Sequence, residues 1–200
     1  MKLRAIELTN IRRFAGRSAR LSGIGDGARY RFAVAGSQVP DPASRQQEGD
    51  SAGWSIVRAP LAAPSSAPPR PFFEAIICEV HVGTVSPEGT FAGLMQRLEH
   101  FRDAGYTAIE LMPVNSFPGR RNWGYDGTLQ FAPAPAYGTP EELRALIQRA
   151  HELGLCMLLD VVYNHFGPEG NYFANYAPLF TDHHLTPWGN AVNYDAENCG

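Results

Sequence analysis

The stretch L-C-M-L-L-D-V-V-Y-N-H, from Leu155 to His165, decides the fold because it carries a short apolar run directly into polar and aromatic residues. The part from Leu155 to Val162 is almost wholly aliphatic, which predicts a buried β-strand. The strand leads into Asp160, Asn164 and His165. Its carboxyl end is therefore a candidate place for chemistry.

Two further apolar runs of strand character precede it, Ile76–Val82 and Thr107–Met112. A helix is expected between them, from an N-cap at Thr90 through Phe91, Leu94, Leu98 and Phe101 to a closing Gly105. Another is expected from the capping box T-P-E-E (139–142) to Gly154. The order strand, helix, strand, loop, helix, strand predicts a parallel α/β sheet. It fits a doubly wound sheet or a (β/α)8 barrel, and the polar residues that follow each strand favour the barrel.

The composition is that of an ordinary folded protein. The 200 residues are 44% hydrophobic with a net charge of −3, which favours neither a nucleic-acid nor a membrane partner. No apolar run reaches the roughly 18 residues that cross a bilayer, and residues 1–12 lack the apolar region of a secretory signal. Cys78, Cys156 and Cys199 are odd in number and far apart, which predicts buried reduced thiols. We therefore expect a cytoplasmic protein.

The chain before Phe72 divides into three parts. Residues 1–27 hold an alternating, strand-like stretch at Leu3–Leu8 and end in G-I-G-D-G (23–27). Residues 28–58 hold a second alternating stretch, Arg29–Val34, and little periodicity after it. Residues 59–71 carry five prolines among alanines and serines, which predicts a stiff linker or a meandering loop. The α/β part is expected over residues 72–200.

The first residues, M-K-L-R-A-I-E-L-T-N-I-R-R-F (1–14), resemble the opening strand of RecF/SMC-type ATPases, in which a P-loop follows. No G-x-x-x-x-G-K-[ST] sequence occurs in this chain. The glycines at 23, 25 and 27 precede a strand-like segment rather than a helix. We therefore expect no nucleotide binding, and we interpret residues 1–27 as foreign to the rest.

The sequence D-V-V-Y-N-H at Asp160–His165 resembles the first conserved region of glycoside hydrolase family 13, the α-amylase family. Three longer stretches are similar to the malto-oligosyltrehalose trehalohydrolase branch of that family: 79–91, 117–127 and 131–143. Glycogen branching enzymes, which are close relatives, usually carry Gln where Asp126 stands and lack the Asn-His ending. The resemblance is dense over about 120 residues.

This resemblance implies a partial (β/α)8 TIM barrel, with its first three strands in residues 72–200. Residues 28–58, with R-Y-R-F (29–32) and V-P-D-P-A-S-R (39–45), resemble the end of the family's N-terminal β-sandwich. It also implies an α-1,4-glucan or malto-oligosyltrehalose as the substrate and a retaining mechanism that releases trehalose. Nothing in the sequence decides the oligomeric state.

The same resemblance assigns sugar-binding roles. Tyr125 corresponds to the aromatic platform under the sugar at the cleavage subsite, and His165 to the histidine that bonds its 6-hydroxyl. Asp160 corresponds to the aspartate that organises the site, typically by holding an arginine. Trp123 and Asp126 flank the platform and are also expected to bind the substrate. The alternative for Tyr125 and Trp123 is that they only pack the loop. Asn164 is a calcium ligand in many α-amylases, but this branch is not generally calcium-dependent, so we expect no metal and no cofactor.

Other polar residues have simpler interpretations. Glu79 and His81, at the end of the first strand, are either sugar-binding or internal polar residues that satisfy their neighbours. His183 and His184 are expected to be surface residues. In this family the nucleophilic Asp and the acid/base Glu follow the fourth and fifth strands, and a retaining glycosidase needs both. We therefore expect no catalytic residue among these 200 and no hydrolysis by this chain alone.

Two alternatives stay open. The first is another family 13 enzyme, such as a branching or debranching enzyme. The second is a non-catalytic glucan-binding protein, which would bind maltooligosaccharides without turnover.

Overall fold

The computed structural model describes residues 5–8, 19–22, 24–34, 36–187 and 189–195, and at 5–8, 19–22, 185 and 189 it describes the backbone alone. Within these ranges, no helix combines the length and the apolar character needed to cross a membrane.

The described residues before 60 form six short strands in three antiparallel pairs: β1 (Ala5–Leu8) with β2 (Ala19–Ser22), β3 (Arg29–Tyr30) with β6 (Ser55–Ile56), and β4 (Phe32–Val34) with β5 (Ser37–Val39). The strand predicted at the N-terminus is present at 5–8. The strand predicted as one unit over 29–34 is broken at Arg31, because its two halves pair with different partners. Arg31 lies over the Trp54 ring, 4.8 Å from its centroid. The other three strands were not predicted, since two to four residues show no clear period.

The α/β part begins after a single 3₁₀ turn at Phe72–Glu74. Its elements in chain order are β7 (Ile77–Val80), α1 (Phe91–Met95), α2 (Leu98–Asp103), β8 (Ala108–Leu111), β9 (Asn115–Ser116), β10 (Leu129–Pro133), α3 (Pro140–Glu152) and β11 (Cys156–Leu159). Strands β7, β8 and β11 form a parallel sheet with β8 in the centre. The predicted order of strands and helices is confirmed. The antiparallel pair of β9 and β10 was not predicted, because it lies inside the long loop after β8.

Burial differs among the three parallel strands. Ala108, Ile109 and Leu111 of β8 are at most 2% exposed. By contrast, Glu79 of β7 is exposed, and Leu159 of β11 is 51% exposed. The outer strands are therefore less buried than the apolar runs predicted. Each of them has one neighbouring strand in this sheet, whereas β8 has two.

The first helix is divided where one continuous helix was predicted. Arg97 N–H donates to the carbonyl of Leu94, three residues back, at 2.8 Å, and this tighter turn separates α1 from α2. The turn keeps Phe91, Leu94 and Leu98 fully buried in the core. The Thr90 side chain accepts from Gly93 N, as expected of an N-cap.

Helix α3 follows the sequence prediction closely. Thr139 Oγ1 accepts from Glu142 N at 3.2 Å, and the Glu142 carboxylate accepts from Thr139 N at 2.7 Å, which completes the capping box. Gly154 closes the helix with φ +79°. Leu146 and Ala150 are fully buried and pack α3 into the core.

The proline-rich 60–71 segment lies along the outside of α3. Arg144 donates to the carbonyls of Ala62 and Ala63, and Gln148 bonds both the backbone and the side chain of Ser65. The segment is thus held to the helix by side chains of the helix.

The last described elements are α4 (Phe173–Tyr176) and a hairpin of β12 (Phe180–Thr186) and β13 (Gly189–Val192). Phe166 packs on Phe173 with ring centroids 4.4 Å apart. The Tyr176 hydroxyl donates to the carbonyl of Pro40, which ties this region to the N-terminal strands. The helix α4 and the β12–β13 hairpin were not predicted from the sequence.

Cys78 and Cys156 are free thiols and only half-buried, so the predicted burial is wrong in degree. Both lie on the outer strands of the sheet, which explains their partial exposure. Cys199 lies outside the described residues.

Candidate active-site surface

The candidate site lies where the three parallel strands end. Asp160 directly follows β11, and its backbone N–H donates to Leu111 O of β8 at 2.9 Å. The loop after β8, residues 117–127, comes back over this edge, and residues 160–167 lie beside it. The carboxyl ends of parallel strands meet at one edge of a sheet, as the sequence predicted.

Asn122 shapes the 117–127 loop. Its side-chain oxygen accepts from Gly124 N at 2.8 Å and from Asp126 N at 3.4 Å. Its backbone carbonyl accepts from His81 Nε2 at 2.7 Å. The loop is therefore held by the side chain of its own Asn122 and by His81, which directly follows β7. Asn122 was not among the predicted site residues, although an Asn two residues before a glycine is a common turn signal.

Two aromatic rings stand on this loop. Trp123 and Tyr125 are 78% and 37% exposed, and their ring centroids lie 6.1 Å apart at an interplanar angle of 83°. Two adjacent exposed rings make a contiguous apolar patch, which is a feature of ligand-binding surfaces. The apolar face of a pyranose fits such a ring.

His165 links the two loops. Its Nε2 donates to the carbonyl oxygen of Tyr125 at 3.0 Å, and its Nδ1 lies 3.1 Å from Oδ1 of Asn164. A sugar hydroxyl at Nε2 must therefore replace the contact with Tyr125. His165 is half-buried, and Asn164 is exposed.

Two carboxylates act on the phenol of Tyr125 through their negative charge. The pKa of Tyr125 is raised above its ordinary value, first by desolvation and then by the negative charges of Asp160 and Glu79. Asp160 and Glu79 thus act on Tyr125 through their charge, and His165 bonds its backbone carbonyl. Carboxylates beside a ring offer acceptors for the hydroxyls of a stacked sugar.

Gly167 lets the two loops touch. Its N–H donates to Gly127 O at 3.1 Å, and a Cβ at this position would overlap the carbonyl of Asp126. The main chains are therefore closer than any side chain permits. This close approach was not predicted, because it depends on two segments about 40 residues apart in sequence.

A cavity of about 260 Å³ lies next to the aromatic pair. Of the six predicted site residues only Asp126 lines it, together with Phe117, Pro118, Arg121, Asn122, Pro168 and Glu169. Of the other five, Trp123, Tyr125 and Asn164 are exposed, and Asp160 and His165 are half-buried.

His81 is held in place by contacts with two residues of the protein. Besides its bond to Asn122, its Nε2 lies 3.3 Å from the Tyr137 hydroxyl, and the two rings pack edge to face. Burial raises the pKa of Tyr137 to about 12. His81 therefore holds the 117–127 loop through its bond to Asn122, while Tyr137 packs against its ring.

Comparison with known proteins identifies the family of this chain. Residues 42–183 match the alpha-amylase catalytic domain family. The chain belongs to the alpha-amylase family. The resemblance drawn from Asp160–His165 is thereby confirmed.

Three relatives show which enzymes of the family this chain is similar to. Malto-oligosyltrehalose trehalohydrolase of Saccharolobus solfataricus is 42% identical over 178 residues, 88% of this chain and 32% of that protein. Its namesake in Deinococcus radiodurans is 43% identical over 188 residues, 86% of this chain and 29% of that one. The 1,4-alpha-glucan branching enzyme of Bordetella pertussis is 34% identical over 174 residues, 77% and 24% of the two chains. The chain spans about a third of the length of the trehalohydrolases it matches.

Solved structures share the fold. A Salmonella typhimurium protein assigned as an alpha amylase superposes with a TM-score of 0.85 and 43% identity over 91% of this chain and 32% of its own. Pullulanase from Bacillus acidopullulyticus, 23% identical, has the same fold, with a TM-score of 0.73 over 88% of this chain and 28% of its own. The alpha-amylase fold therefore extends over most of this chain.

Proposed function

We propose that this chain supplies the sugar-holding side of an active site that acts on α-1,4-glucans. The observation that supports it best is the exposed pair Trp123 and Tyr125, because Tyr125 accepts a bond from His165 and is subject to the negative charge of Asp160. Stacking on the rings and hydrogen bonds to the carboxylate together suit a pyranose.

The enzyme to which this chain contributes is proposed to release trehalose from malto-oligosyltrehalose with retention of configuration. Support comes from the trehalohydrolase relatives, which are 42% and 43% identical, against 34% for the branching enzyme. Asp126 also departs from the Gln that is usual in branching enzymes. On this proposal the three parallel strands open a (β/α)8 barrel, and residues 28–58 belong to the preceding β-sandwich.

The first test is isothermal titration calorimetry of the chain with maltopentaose. The proposal expects saturable binding that Tyr125→Ala weakens at least about tenfold, because stacking is lost. Phe73→Ala is the matched control, since Phe73 is 85% exposed but lies ahead of the amino end of β7. Equal affinity of the Tyr125 variant and the parent chain would reject the sugar-binding role.

A second titration separates the trehalohydrolase from the branching-enzyme interpretation. A malto-oligosyltrehalose and a linear maltooligosaccharide of the same number of glucose units are compared. Tighter binding of the trehalose-ended ligand supports the trehalohydrolase proposal. Equal or weaker binding contradicts it and leaves the general glucan proposal intact.

A further inference from the structure

Two histidines and an aspartate meet on the β12–β13 hairpin. The Nε2 of His184 lies 2.7 Å from Oδ2 of Asp195, and the rings of His183 and His184 stack at 11° with centroids 4.8 Å apart. One nitrogen of each ring and one carboxylate oxygen lie within 4.8 Å of one another. Among the described residues, this is the one group of three such side chains.

The stacking of His183 on His184 needs an explanation, because consecutive residues of a regular strand point to opposite faces. The pairing of β12 with β13 supplies one. Thr181 pairs with Ala191, but Leu185 pairs with the next residue, Asn190, so three residues of β12 have no counterpart. Such a bulge redirects side chains. His183 N–H also donates to Thr181 Oγ1 at 3.1 Å within it.

Asp195 reaches the same side from just beyond β13. All three side chains are exposed, so an ion can reach them from solvent and keep water in its remaining positions. Exposed side chains also rotate at little cost.

We infer that His183, His184 and Asp195 form a binding site for a first-row divalent transition-metal ion, of which Zn²⁺ is the test case. Two imidazoles and a carboxylate are a ligand set that Zn²⁺ accepts, with water as the fourth ligand. Bonds of about 2.0–2.2 Å place tetrahedral ligands about 3.3 Å apart, so closure by at most about 1.5 Å is required. Ca²⁺ does not fit, because it takes six to eight oxygen ligands.

The site is distinct from the sugar-holding surface. None of its residues lies on the 117–127 loop or among residues 160–167. Binding of the ion therefore fixes the hairpin and does not depend on the glucan proposal.

The test is calorimetric titration of the metal-free chain with Zn²⁺, repeated with Ca²⁺. We expect one Zn²⁺ per chain and no saturable Ca²⁺ binding. His183→Gln, His184→Gln and Asp195→Asn each weaken Zn²⁺ binding more than about tenfold. His100→Gln, an exposed histidine on α2, is the matched control and leaves the affinity unchanged.

A second measurement, the visible absorption of bound Co²⁺, reports directly on the ligands of the ion. Co²⁺ bound with imidazole nitrogens gives a visible absorption band, which we expect in the parent chain and in His100→Gln but not in His184→Gln. Absence of saturable Zn²⁺ binding by the parent chain overturns the inference. So does Zn²⁺ binding of equal affinity in the three site variants, because the ion then sits elsewhere.

Discussion

The imidazole Nε2 of His165 lies 3.0 Å from the backbone carbonyl oxygen of Tyr125. The two residues come from different loops, and the contact fixes the distance between the histidine after β11 and the aromatic pair after β8. A histidine predicted to hold a sugar hydroxyl thus also holds the platform on which the sugar is proposed to rest.

Replacing His165 tests this double role. His165→Ala removes the bond to Tyr125 and a proposed bond to the sugar, so maltopentaose affinity should fall about three- to tenfold. Calorimetry measures the change, and His151→Ala, on α3, serves as the control. If His165→Ala binds the sugar as the parent does, the histidine has neither role.

Gly167→Ala should weaken maltopentaose binding without touching a sugar-binding side chain. The added methyl group overlaps the Asp126 carbonyl and separates the two loops. Gly105→Ala, at φ +95° and with open space around its Cβ, carries backbone strain alone. Urea unfolding of Gly167→Ala and Gly105→Ala measures how much each substitution lowers stability. If Gly167→Ala keeps the parent affinity, the loop contact does not set the site geometry.

Thr139→Ala should lower the free energy of unfolding by about 1 kcal/mol, because α3 loses its N-cap and half of its capping box. The midpoint of urea unfolding measures this loss. Ser66→Ala, which removes an exposed hydroxyl from the 60–71 segment, should leave the midpoint unchanged. Equal midpoints for Thr139→Ala and the parent would show that α3 is held by packing alone.

Stability should fall as the pH rises from about 10 to about 12, the window between the ordinary tyrosine pKa and the raised pKa of Tyr137. In that window the unfolded chain loses the tyrosine proton and the folded chain keeps it, so higher pH favours unfolding. Burial also raises the pKa of Tyr30 and Tyr176, which adds a loss of the same sign. Tyr137→Phe should therefore flatten the pH dependence of the urea midpoint in part. A curve identical to that of the parent would contradict this prediction.

The sequence predicted those features that depend on neighbouring residues. The capping box at Thr139 and Glu142 and the closing Gly154 are of this kind, and so is the alternation of strands with helices. The break between α1 and α2 was missed, because the apolar spacing from Phe91 to Phe101 continues across it. The β9–β10 pair was missed because Asn115 and Ser116 carry no strand signal of their own.

The candidate site was predicted in composition but not in geometry. The motif around Asp160 and His165 named the residues, and family membership supports the choice of motif. The bond from His165 to the Tyr125 backbone, the support from His81 and the contact at Gly167 involve main-chain atoms of distant segments. Main-chain contacts of this kind leave no pattern in side-chain identity.

The position of the 60–71 segment decides where this protein can be joined to another. Its composition marks it as a spacer, yet its carbonyls accept from Arg144 and its Ser65 bonds Gln148. A chimera that replaced the N-terminal strands by cutting at residue 72 would strip α3 of these bonds and leave its outer side bare. Exchange of N-terminal parts between relatives therefore needs its junction before residue 60.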